Sequence, residues 1–215
     1  MESETAVTFD GFGLSVEVDG IPKTILEVEG WKSIVPDEGK NFALRVNNST
    51  DRPVLVQIFV DGISVMGGDR YILAPHQQTI CRGFAKDQET VTRFVFGRAQ
   101  AITGRHAQLS TCQHDIGLIR AVFYATEAAG PRAQPVSGPF TGAAPVKACT
   151  VDQDNLKKTN ALILEGERIR DPTYYSETQY RTLARLAELE IRYNVVAAPT
   201  RALANDQGDA DAAGY

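Results

Sequence analysis

Two of the chain's three Asp-Gly dipeptides, Asp19-Gly20 and Asp61-Gly62, sit between short β-prone runs, and they restrict the chain more than anything else in it. A two-residue turn of type I′ needs positive φ at both of its positions, which Asp tolerates and Gly adopts freely. Each dipeptide therefore predicts that its flanking runs fold back on one another as antiparallel strands. The first links residues 14–18 (LSVEV) to 22–28 (PKTILEV), and the second links 54–60 (VLVQIFV) to 63–65 (ISV).

The rest of the chain follows the same grammar. In residues 54–60, Val54, Val56, Ile58 and Val60 share one face, while Leu55, Gln57 and Phe59 share the other. One face is wholly β-branched and the other mostly apolar, as in a central strand covered on both sides. Residues 42–46 alternate as a strand before a polar turn at 47–51. Gly67-Gly68 permits a sharp reversal, 71–73 is a short strand, Ala74-Pro75-His76 is a corner, and 79–84 is the next strand. Residues 91–96 and 116–125 add two apolar strands around a polar connection, and 161–165 reads as a strand ending at a Gly166 turn. In 180–196, Tyr180, Leu183, Ala184 and Ala187 keep helical spacing while Leu189, Ile191, Tyr193 and Val195 alternate, so the second half is expected to be a strand.

These runs predict nine or ten short strands, hardly one helix, and an all-β fold: a two-sheet β-sandwich, jelly-roll-like, spanning residues 1–198 as a single domain. Residues 128–146 (AAGPRAQPVSGPFTGAAPV) carry no period and read as an extended Pro/Gly arm that offers Pro135, Pro139 and Phe140 to a neighbouring subunit. Residues 199–215 are expected to be a flexible acidic tail.

Composition narrows the function. A net charge of -5 and a pI near 5.3 leave no basic surface for counterion release, so nucleic acid is not an expected partner. No apolar run approaches the roughly 18 to 20 residues of a membrane helix, and the first residues lack the basic and apolar regions of an export signal. Cytoplasmic synthesis in a reducing compartment is expected. Cys81, Cys112 and Cys149 are odd in number and widely spaced, the pattern of free thiols rather than a disulfide framework. The sequons within 47–50 are then turn residues.

A family likeness is carried by Phe59-Val60-Asp61-Gly62-Ile63-Ser64-Val65, Tyr71-Ile72-Leu73-Ala74-Pro75, Ile80-Cys81-Arg82-Gly83-Phe84, the VTRFVF of 91–96 and the AELEIRY of 187–193. In patches over residues 40–198 the chain resembles a loosely defined group of β-rich proteins found in bacteria and in large DNA viruses. The resemblance implies a β-strand for the late segment, no catalytic residue, and a capsid-associated structural role in a virion.

Motifs for chemistry are incomplete. Cys112, His114 and Asp115 place a thiol, an imidazole and a carboxylate within four residues, with His106 upstream, but structural zinc normally takes two close pairs, no second close pair exists, and a distant partner such as Cys81 or His76 would have to close such a site. Asp152, Asp154 and Asn155 imitate the start of a calcium loop, yet its sixth and twelfth positions hold Lys157 and Ile163. There is no Gly-x-Ser-x-Gly elbow, Walker loop or dinucleotide fingerprint. Glu188 and Glu190 would lie on one strand face, about 7 Å apart, as a solvated pair. Neither a cofactor nor catalysis is therefore expected. The first reading is a structural protein docked with other subunits in a homo- or hetero-oligomer, through the arm and through Tyr174 and Tyr175. The alternative is a carbohydrate-binding module that stacks a glycan on Trp31, Tyr174 and Tyr175. A hydrolase or metalloenzyme around Cys112 and His114 is the third.

Overall fold

A computed structural model of the chain describes residues 3–87, 89–97, 115–131, 162–171 and 178–193. These residues form fifteen strands and no α-helix, in two sheets. The first sheet contains β1 (Val7–Phe9), β2 (Phe12–Val18), β6 (Asn41–Asn48), β12 (Thr90–Gly97) and β14 (Leu162–Arg170). In it β3 (Ile21–Pro22) pairs with β2, β10 (Gln77–Cys81) with β6, and β11 (Gly83–Ala85) with β12. The second sheet runs β4 (Leu26–Val28), β5 (Trp31–Ile34), β15 (Thr178–Tyr193), β13 (Leu118–Pro131), β7 (Val54–Val60) and β8 (Ile63–Ser64), with β9 (Tyr71–Leu73) also on β7. Among these pairings only β15 on β5 is parallel.

The expected turns are present. Asp19 and Gly20 have φ of 53° and 78°, and Asp61 and Gly62 have 52° and 76°. Two further turns, Asp10-Gly11 and Glu29-Gly30, adopt the same geometry and join β1 to β2 and β4 to β5. Glu29 takes the place of an Asx residue there, so a search for Asp-Gly or Asn-Gly passes over it. The side chains of Phe12, Leu14 and Val16 on β2, Phe42 and Leu44 on β6, and Phe94 and Phe96 on β12 face those of Val56, Ile58, Ile119, Phe123, Leu189 and Ile191 from the second sheet in one core. The Phe12 ring stacks on Phe123 with centroids 4.6 Å apart, and Phe96 meets Tyr193 at 5.9 Å, so aromatic contacts join the sheets face to face.

Five features differ from expectation. Residues 22–28 do not form one strand: Pro22 ends β3 in the first sheet and the chain crosses to β4 in the second, with the Lys23 N–H donating to Val16 O at 2.8 Å. Residues 79–84 break at Arg82, where the chain passes from β6 to β12 as its neighbour. Gly166 is not a turn. It lies inside β14 opposite a register shift, where a Cβ would come within 2.5 Å of Val95 Cγ2, so the missing side chain permits the close approach. Finally, residues 128–131 belong to β13 rather than to an arm, and β15 is a single strand through its first half as well. The proposed remainder of the arm, including Pro135, Pro139 and Phe140, and the tail at 199–215 lie outside the described residues.

Candidate functional site

Where the chain crosses from the first sheet to the second, it leaves an open groove of about 430 Å³. One wall is the β2–β3 hairpin with Val18, Ile21 and Pro22; the other is formed by Leu26 of β4 and by Val35, just after β5. The positive-φ Asp19-Gly20 turn pairs Ile21 with Val18 at the tip of the hairpin, Pro22 lies opposite Glu17, and the Lys23 N–H still reaches Val16 O at 2.8 Å before the chain leaves the sheet. The apolar residues are not covered: Ile21 is 70% exposed, Leu26 40% and Val35 43%. At the base Lys23 Nζ bonds Asp37 Oδ2 at 2.9 Å and Oδ1 at 3.0 Å. Asp19, which also lines the groove, lies 3.5 Å from Lys40, and elsewhere on β5 Lys32 reaches Glu4 at 2.7 Å. The hydrogen bond to Glu4 holds the Lys32 ammonium above its ordinary pKa, against some desolvation.

The opposite border of the first sheet has another character. On β14, Glu165 pairs with Lys86 at 2.8 Å, Arg168 bonds Asp87 and donates to Thr90 Oγ1 at 2.9 Å, and Arg170 approaches Glu89 at 3.9 Å. Charges and a register irregularity protect this edge from pairing with another strand. At the crossing corner the charged residues Asp19, Lys23 and Asp37 line the groove beside Ile21, Leu26 and Val35, which stand exposed.

Most of the residues singled out by motif fall outside the described part of the chain: Cys112, His114, Tyr174 and Tyr175 are among them. Asp115 is described. It lies 3.8 Å from the Arg120 guanidinium and packs beside Gly62, where a Cβ would meet its Oδ2 at 3.0 Å. Arg120 is also 3.5 Å from Glu188 and lies over the Phe59 ring at 4.9 Å, while Glu188 bonds Arg185 as well. The Glu188 carboxylate is thus engaged by two arginines rather than facing a partner carboxylate across a cleft. His76 meets Asp51 at 3.0 Å on the surface, whereas Cys81 is buried with its Sγ 3.5 Å from Gly83 O. Burial pushes the Cys81 thiol up to about 11. Among the described residues no group of three or more His, Cys, Asp or Glu is placed to hold a metal ion, and no helix is long and apolar enough to cross a membrane.

Trp31, the remaining stacking candidate, is 42% exposed on β5, but the Arg192 guanidinium lies 3.5 Å from its ring centroid. That cation occupies one face of the indole. The groove itself was missed from sequence. The sequence marks only its borders: Ile21-Pro22 and Val35-Pro36 each set an apolar residue beside a proline near a strand end, and Ile21 and Val35 are left exposed. No protein-family model matches the chain, and neither a curated protein nor a solved structure matches it.

Proposed function

We propose that the chain is a non-enzymatic structural subunit that acts by docking into a larger protein assembly, with the crossing corner as its contact surface. The observation that carries this reading is the contrast between the two borders of the sandwich. Ile21, Leu26 and Val35 stand exposed together around a groove, while the β14 edge is charged and irregular. Contiguous exposed apolar surface with a polar rim is the ordinary anatomy of a protein contact. A shell particle such as a virion is the assembly to which the sequence resemblance points, with this chain as a minor component.

The carbohydrate reading finds less support, because the described stacking candidate, Trp31, already carries Arg192. The test is the native mass of the protein isolated from its natural source, beside that of the purified chain of 23.4 kDa. A complex well above the single-chain mass, lost when Ile21 and Leu26 are changed to Glu, is the expected result. A monodisperse monomer that brings down no partner from its source overturns the proposal.

A further inference from the structure

We infer that Asp19 is a site of spontaneous covalent modification, at which the folded chain converts aspartate to isoaspartate while its other two Asp-Gly turns, at Asp10 and Asp61, are protected. The inference stands independently of what the crossing corner binds.

The chemistry is common to the three dipeptides. The Gly backbone nitrogen attacks Cγ of the protonated Asp carboxyl; a C–N bond forms, and the carboxyl hydroxyl leaves with the amide proton as water. Water then opens the five-membered imide. Attack at the side-chain carbonyl restores aspartate. Attack at the main-chain carbonyl instead leaves the chain running through Cβ, with a free α-carboxylate beside it. Glycine favours closure because no side chain shields its nitrogen. The ring closes only when the peptide plane between the two residues swings towards the carboxyl, so the rate follows how cheaply each turn opens and how free its carboxylate is.

The three turns differ in both respects. Asp61 is 5% exposed, its carboxylate accepts the Gly117 N–H at 2.7 Å and the Tyr193 hydroxyl, and Asp115 packs against Gly62. That carboxylate is committed to other donors and shielded from water. Asp10 is exposed, but Gly11 O accepts the Ser49 N–H at 2.7 Å, and Thr50 Cγ2 backs the turn 2.9 Å from where a Gly11 Cβ would stand. The Asp19 turn lacks such a backing. The Asp19 side chain is 69% exposed, and among the described residues no atom beyond the chain neighbours lies within 4 Å of a Gly20 Cβ. Its ion pair with Lys40, at 3.5 Å, joins two exposed groups and restrains it little. Behind the turn β3 offers two ladder pairs, Val18 with Ile21 and Glu17 with Pro22, and Pro22 brings no N–H. This hairpin tip therefore opens at the least cost of the three. Conversion inserts a methylene into the main chain at the tip and breaks the register that sets Ile21 and Pro22 as one wall of the groove.

Glu29-Gly30 supplies an internal reference. It holds the same turn, with φ of 53° and 79° against 53° and 78° for Asp19-Gly20, yet a glutamate would have to close a six-membered ring, which forms far more slowly. Asp19→Glu thus keeps the turn and removes the reaction.

The experiment is peptide mapping of the whole chain after several weeks in warm neutral buffer, with isoaspartyl peptides separated chromatographically and located by fragmentation. Cleavage after Glu17 separates Asp10 from Asp19. Wild type, Asp19→Glu and wild type held unfolded in urea are compared, and far-UV circular dichroism checks that the first two are folded. In folded wild type, isoaspartate at Asp19 is expected to exceed that at Asp10 at least about threefold and that at Asp61 at least about thirtyfold. In urea the three sites should approach one another, and Asp19→Glu should yield no isomer at position 19 while the other two sites are unchanged. Isoaspartate at Asp19 that is absent, or no greater than at Asp10 or Asp61, overturns the inference. So does a ranking that persists in urea, because the selection would then belong to the neighbouring sequence and not to the fold.

Discussion

Asp61 shows how a single residue can serve both the backbone and the core. Its φ of 52° opens the β7–β8 turn, and its side chain is buried. The carboxylate accepts the Tyr193 hydroxyl and, at 2.7 Å, the Gly117 N–H, while the Asp61 N–H donates to Leu118 O at 2.9 Å. One turn residue thereby ties β7 to the start of β13 and to the end of β15. Asp87 does a related task at the surface, where its sign with pH can be tested. Its carboxyl falls from 3.8 to about 2, chiefly through the Thr90 hydroxyl, and with help from backbone N–H groups and Arg168. A carboxyl whose pKa is lower folded than unfolded stabilises the fold fully above its unfolded value and loses that contribution as pH falls through the folded one. Asp87→Asn is therefore expected to lower the melting temperature at neutral pH, with the gap to wild type narrowing between about pH 4 and pH 2. Melting curves across that range decide it; a constant gap would mean that Asp87 acts through shape and not through its charge.

At the scale of elements, β15 is the most instructive. Its first half carries apolar residues three and four apart, the spacing of a helix face, and yet it is a strand. The register reconciles the two: between the Tyr124–Arg185 and Thr126–Thr182 pairs β15 has one residue more than β13, and Leu186 is extra between Ala187 and Arg185. These bulges absorb the offset that a strict period of two cannot, so Leu183 and Leu186 stay half exposed while Ala187, Leu189 and Ile191 enter the core. The alternation of 54–60 and the Asp-Gly turns were legible because hairpin pairing is local. The corner groove was not, because it forms only when β3 and β4 are assigned to different sheets, a choice that depends on partners far along the chain. Beyond Ala125, β13 loses its pairing with β7, and residues 126–131 pair only with β15 among the described strands. A two-stranded ribbon has little independent stability in water. Amide hydrogen exchange is expected to be fastest in this ribbon, by orders of magnitude relative to residues 118–124. Equal protection along β13 would show that something outside the described strands covers it.

The whole molecule is organised by alternation between layers. From β6 onward the long strands β6, β7, β12, β13, β14 and β15 fall in turn in the first and the second sheet, so no sheet is completed by a continuous piece of sequence. Each sheet depends on strands that the chain supplies only after visiting the other, and the inner faces meet in one core. Neither layer can then retain its apolar face when the other is lost, and unfolding should be a single cooperative step. Trp31, the chain's one tryptophan, lies on β5 in the second sheet and gives a local probe, whereas far-UV circular dichroism reports strands of both sheets. In a urea titration below the concentration of any self-association, the two signals are expected to share a midpoint and a slope. An earlier tryptophan transition would separate the β4–β5 hairpin from the core, and with it Leu26 and one wall of the groove. In that case the corner would be a surface that its partner completes rather than one the fold holds ready.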